Sequence, residues 1–345
     1  MNFSPELRQE LARILDAIAI VSPTSFTFCG QPSNGLTMPM MGLQLQPGAP
    51  PLLSELTGQL YQHCFSNRFT GQITKSEQPR PENDAAWPET LARANQSRDR
   101  WDDGWQVLQS MPNGQLIASR GATTRMLSPG EFVNLSGSGM YLAPGSVVRV
   151  YVPRESRTVQ PGYYFAFGET LPDSNDEFSM VRFYWNVSAE GAAELLQLIS
   201  TALNRWQVPF RFKTGVQPGM LARSDSAVLY VPRRSAPFTY ELVLEIRNRL
   251  RALLRSEVPL FTLRLAPGLA FAEDPGTQES FGMSRCRVLA HGIWLAREQD
   301  AQKTEERLVI VEQRFHSEGI SLERPWLNPG SADDLAFRAE EGEAA

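Results

Sequence analysis

The sequence predicts an α+β fold: an antiparallel-leaning mixed sheet with helices packed on it, preceded by a mostly helical N-terminal region. Three observations carry that expectation. Apolar residues at helical spacing dominate the first hundred or so residues. From about residue 110 onward, β-branched and aromatic runs bounded by Gly, Pro and Ser recur. Strong amphipathic patterns alternate with those runs, so helices pack on a sheet rather than on each other alone.

Taken in order, Leu7, Leu11, Ile14, Leu15 and Ile18 follow "SPE", a helix start with a capping serine and a proline at the first position. A second helix runs through "PLLSELTGQLYQHCF", and "TLARANQSRDRWDDGWQVLQS" is helical at first. The stretches "GQPSNGLTMPMMGLQLQPGAPP" and "QPRPENDAAWPE" read as loop. Strands are expected at "GSVVRVYVPRES", "GYYFAFGET", "MVRFYWNVS", "FRFKTG", "AVLYVPRR" and within "LFTLRLAPGLAFAEDP". Helices are expected at "SAEGAAELLQLISTALNRW", "APFTYELVLEIRNRLRALLRSE", "SRCRVLAHGIWLA" and "EERLVIVEQRFHSEGI". The expected division is a helical region with Pro/Gly-rich loops over residues 1–105, an α+β domain carrying the site over 106–328, and an acidic flexible tail over 329–345.

At 345 residues, with 42% hydrophobic and 21% charged residues, the chain has the composition of a soluble globular protein. A net charge of −5 argues against nucleic acid as a bulk electrostatic partner. Cys29, Cys64 and Cys286 have no paired spacing, so neither a disulfide framework nor a zinc site is expected, and a reducing cytoplasm fits. His63, His291 and His316 are equally scattered. The N-terminus reads as an amphipathic helix rather than a signal peptide, and no stretch approaches a membrane span. "GSGMYLAPG" lacks the Lys–Ser/Thr ending of a phosphate loop and the spacing of a dinucleotide fingerprint. No nucleotide, nicotinamide or metal cofactor is expected.

The basic residues are distributed unevenly. Of 33, 30 are Arg and three are Lys: Lys75, Lys213 and Lys303. Lys213 sits directly after Phe212 and close to Phe210, where an ammonium loses hydration and its pKa falls. Arg211 and Lys213 alternate with those two aromatics, so both point to the same side of their strand. In "MVRFYWNV", Arg182, Tyr184 and Asn186 share a face opposite Val181, Phe183 and Trp185. Arg149, Arg154, Arg223, Arg264 and Arg285 also lie in apolar or strand-like settings. If such faces line one cleft, guanidinium forks surround one ammonium, an arrangement suited to phosphate. The competing reading is a solvated sheet face, on which alternating Arg and Lys look the same. Cys286 reads as core, and His291 as a structural histidine that could also serve as an acid.

The segments "RDRWDDGWQV", "VRFYWNV", "VPFRFKTG", "SAVLYVPRR" and "LAPGLAFAEDPGTQESFGMSRCRVLAHGI" resemble the HopA family of type III secretion effectors and their bacterial homologues, over about residues 55–325. The resemblance implies a lyase of class V lanthipeptide and thioamitide biosynthesis. There a kinase phosphorylates Ser or Thr of a precursor peptide, and the HopA-like partner eliminates phosphate to leave dehydroalanine or dehydrobutyrine. For that chemistry Lys213 is the expected base, Arg182 and Arg223 are the expected phosphate grip with Arg285 and Arg149 behind them, and Tyr230 or His291 could protonate the leaving group. The histidine acid of phosphothreonine lyases does not occur in its motif setting here. Residues 1–54 carry no resemblance, and "SNGLTMPMMGLQLQPGAPP" reads as a lid or a surface loop. A second reading stays open: a non-catalytic module that binds a phosphopeptide or a protein partner. Binding does not require the lysine; elimination does.

Overall fold

This computed structural model describes residues 3–33, 49–73, 85–134, 142–277 and 279–333. Most of the expected lid or loop, and the tail from residue 334 on, lie outside them. Helix α1 (Pro5–Ala17) begins where the Ser4 hydroxyl accepts the Leu7 amide proton at 3.2 Å, with Pro5 at the first position. The helical spacing in the sequence continues to Ile18, but the backbone turns extended there. Ile18, Ile20 and Val21 are β-branched and Pro23 bars a continued helix. The segment folds instead as a hairpin of β1 (Ile18–Ser22) and β2 (Ser25–Phe28), with β3 (Gln31–Pro32) beside β2. The N-terminal helix-and-loop region thus also holds a small sheet. Helix α2 (Leu52–Leu60) runs into one π-helical turn, Tyr61–Phe65, and α3 (Trp87–Ala94) follows.

The strands that were expected to join one sheet form two. Strands β4 (Arg100–Ser110), β5 (Leu116–Arg120), β6 (Thr123–Leu127), β7 (Phe132–Asn134) and β8 (Val147–Val152) make a five-stranded sheet in the order β6-β5-β4-β8-β7. It has its own core around Trp105, Val107, Ala118 and Val148. Strands β9 (Glu155–Ser156), β10 (Tyr163–Phe167), β11 (Met180–Trp185), β12 (Arg211–Gly215), β13 (Ala227–Pro232), β14 (Leu263–Ala266) and β15 (Leu269–Glu273) make the larger sheet. Its order is β14-β15-β11-β13-β12-β10-β9, and its pairings are antiparallel throughout.

Alternation along the strands sorts the two faces of this larger sheet. Val181, Phe183, Trp185, Phe212 and Leu229 pack against α4 (Ala189–Arg205) and α5 (Ala236–Arg249). The opposite face is not solvated. Tyr184, Val228, Tyr230, Ala270 and Ala272 join a second core with Phe65, Phe281 and Leu289, under α2 and α6 (Phe281–Glu298). Helix α7 (Thr304–Ser317) packs on α6, and α1 packs on α7. Helix α6 comes close to the π-helical turn at Gly282, where a Cβ would stand 2.5 Å from the Phe65 ring. Among the described residues no helix is long and apolar enough to cross a membrane.

Candidate active site

The uncovered end of that second face is a cavity of about 620 Å³. Strand register sets its floor. Tyr230 on β13 pairs with Arg182 on β11 and with Arg211 on β12, so the three side chains stand in a row. The guanidinium carbons of Arg182 and Arg211 lie 5.1 and 4.5 Å from the Tyr230 ring centre, one on each side. Two residues further along, Phe165 pairs with Lys213, and Lys213 with Val228. This puts Lys213 Nζ 3.8 Å from the centre of the Tyr163 ring and 5.9 Å from that of Phe165. Tyr61, from the π-helical turn, forms the facing wall with Asp274, Thr277 and the first residues of α6.

Lys213 makes no hydrogen bond or ion pair with a described residue, and the rings of Tyr163 and Phe165 lie beside its ammonium. Burial pushes its pKa down to about 8. Asp225 opposes the shift, while Arg182, Arg223 and Arg211 add to it.

The arginines differ sharply in what they hold. Buried Arg182 lines the cavity, but its Nε and NH2 donate to Asp274 Oδ2 at 2.8 and 2.7 Å. Arg223 lies behind Tyr61 rather than in the cavity wall. It donates to both Asp225 oxygens at 2.8 and 3.0 Å, and to Tyr61 Oη and Ser66 Oγ at 3.0 and 2.7 Å. It therefore aims Tyr61, whose hydroxyl is held well above its ordinary pKa by burial and then by the Asp225 charge. Arg211 is exposed and has no carboxylate partner among the described residues.

Two arginines counted toward the phosphate site stand elsewhere. Arg285, 1% exposed, donates from Nε and NH2 to the carbonyls of Pro325 and Leu327 at 2.8 and 2.7 Å, pinning the segment after α7 to α6. Arg149 sits on β8 of the other sheet and pairs with Asp103 at 2.6 Å. Arg154 pairs with Glu155 and Asp99, and Arg264 bonds the Ser256 carbonyl. His291 lies on α6 away from the cavity, and burial, with Arg314 and Arg287, pushes its pKa down to about 4. It is neutral at pH 7 and holds no proton to donate as an imidazolium. Of the two proposed acids only Tyr230 lines the cavity. Cys286 is fully buried, as expected of a core residue.

Sequence reasoning left Tyr61, Tyr163, Asp225 and Asp274 out of the site. Tyr163 reaches Lys213 through strand register, and Tyr61 through packing of α2 on the sheet; neither leaves a local signal. Asp225, two residues after Arg223, was legible as a partner for it. Among the described residues, no group of three or more His, Cys, Asp or Glu could hold a metal ion.

The HopA1 effector protein family matches residues 154–327, a span that contains Lys213, Arg182, Arg211, Arg223 and Tyr230. Comparison with solved structures finds two similar chains among its matches. An effector protein from Pseudomonas syringae pv. tomato strain DC3000 is 14% identical, covering 94% of this chain and 96% of its own, with a TM-score of 0.47. An effector protein from Pseudomonas syringae pv. syringae strain 61 is also 14% identical, covering 79% of this chain and 88% of its own, with a TM-score of 0.42. Comparison with curated proteins gives no match.

Proposed function

The chain belongs to the HopA1 effector protein family, and from that premise we propose that its cavity eliminates phosphate from phosphoserine or phosphothreonine in a peptide. Lys213, as the neutral amine, takes the Cα proton. The C–H electron pair becomes the Cα=Cβ bond, the Cβ–O bond breaks, and phosphate leaves with that bond's electrons. The product is dehydroalanine or dehydrobutyrine, and the lysine is left as an ammonium. The observation that supports this most is the lysine itself: beside aromatic rings, without a carboxylate ion pair among the described residues, and at a pKa of about 8. A base of that pKa is partly deprotonated at neutral pH, unlike a lysine at its ordinary ~10.4.

Arg211 is the cation best placed to hold the leaving phosphate, since Arg182 and Arg223 already hold aspartates. The start of α6 at the cavity wall adds the favourable end of a helix dipole. Tyr230 is the candidate proton donor. The phosphorylated peptide would come from a separate kinase, as in ribosomal peptide modification.

The second reading is a phosphopeptide-binding module without chemistry, for which an exposed Arg211 at the cavity suffices and Lys213 as base is not needed. Mass spectrometry of a phosphothreonine peptide incubated with the protein, without metal or nucleotide, separates the two. Loss of phosphoric acid with gain of unsaturation supports the lyase. Retention of phosphate on a peptide that binds supports the module.

A further inference from the structure

A second cleft, of about 460 Å³, opens between the two larger sheets. One side is the edge strand β6 and the end of β8; the other is the end of β10 and the approach to β12. Glu177, Met180 and Arg211 line both this cleft and the first cavity, so the two spaces adjoin at those residues.

The cleft joins two kinds of surface. Phe167, Leu171 and Phe210 give it an apolar wall. Arg125 on β6 gives it a cation with no carboxylate partner among the described residues, and its NH1 is buried without a hydrogen bond. A buried guanidinium nitrogen without an acceptor is costly unless a ligand supplies one. An extended occupant passing from the first cavity to Arg125 runs over the residues that line both spaces, Glu177, Met180 and Arg211.

Resting on the lyase reading of the first cavity, we infer that this cleft is a subsite for the substrate chain next to the phosphoresidue. It takes an apolar side chain on the Phe167–Phe210 wall and an acidic side chain at Arg125. The preferred substrate is therefore a phosphopeptide with a carboxylate at one fixed distance from the phosphoresidue.

The test uses one neutral phosphothreonine peptide with a single Glu, and in a parallel series a single Lys, walked through the flanking positions on both sides, beside N-acetyl phosphothreonine methylamide as the minimal substrate. Elimination is followed on the wild type, Arg125→Gln and Arg125→Glu. The wild type should favour Glu at one position by about fivefold in kcat/KM, the size of a partly exposed ion pair. Both variants should lose that preference, Arg125→Glu should favour Lys there instead, and the minimal substrate should react equally in all three. A wild type with no preferred position, or a preference that survives in Arg125→Glu, overturns the subsite while leaving the lyase standing. If the wild type eliminates phosphate from no substrate, the lyase reading fails instead. Fluorescence anisotropy of the same labelled peptides then decides the subsite: a Glu-dependent affinity lost in Arg125→Glu upholds it, and a flat profile overturns it.

Discussion

Lys213 Nζ rests 3.8 Å from the centre of the Tyr163 ring, across the ladder between β10 and β12. The ring face favours the charged ammonium, and burial disfavours it. Burial wins, and the pKa is about 8. Tyr163→Leu removes the favourable part only, so the midpoint of the pH–rate profile should move down by roughly half a pH unit or more. Tyr163→Phe keeps the ring and should leave it in place. An upward shift in Tyr163→Leu would mean that the ring does not support the ammonium.

Lys213 should impose a pH dependence on both activity and stability. Elimination should rise through pH about 8 and level off above it. Lys213→Arg should fold and bind phosphopeptide but eliminate nothing, because guanidinium does not deprotonate. The folded pKa lies below the unfolded ~10.4, so between those values the unfolded chain binds the extra proton. Stability relative to Lys213→Met should therefore rise with pH across that window, and chemical denaturation at several pH values measures it.

Arg211→Ala and Arg182→Ala should fail in different ways. Arg211 is exposed and without a carboxylate partner among the described residues, so its loss should weaken phosphopeptide binding by about 1.5–3 kcal/mol with little change in stability. Arg182→Ala leaves Asp274 unpaired beside a buried site and should destabilise by about 3 kcal/mol. Calorimetry on both variants separates these outcomes; equal stability losses would contradict the assignment.

Arg285→Met should act on the fold alone. It strands the Pro325 and Leu327 carbonyls, at a cost of roughly 2–4 kcal/mol read by denaturant unfolding. Phosphate affinity measured where the variant is folded should be unchanged, and a large loss of affinity would return Arg285 to the site.

His291 should register as a stability effect in acid. Its folded pKa of about 4 lies below the ordinary ~6.5, so the unfolded chain takes the proton first. Its contribution is present above pH ~6.5 and lost as pH falls toward 4. His291→Gln should flatten that part of the stability profile and leave elimination at pH 8 intact; a large activity loss would restore the histidine as the acid.

Much of this protein is determined by the sequence locally. Strand alternation put Arg182 and Tyr184 on one face and Arg211 and Lys213 on one face, because side-chain direction in a strand follows from a period of two alone. The scarcity of lysine and the aromatics around Lys213 singled out the residue that the cavity now surrounds. The helices of the second half follow from apolar spacing in the same way. What only the tertiary structure decided was which faces meet. Register brought Tyr163 to Lys213 and Tyr230 between two guanidinium groups. Packing of α2 and α6 turned an expected solvated face into a covered one with a single open end, and delivered Tyr61 to it. Arg149 and Arg285 looked in sequence like Arg182. They differ only in what the fold sets within hydrogen-bond reach, Asp103 and two carbonyls in place of a cavity. That is a property of residues far apart along the chain, and no local pattern records it.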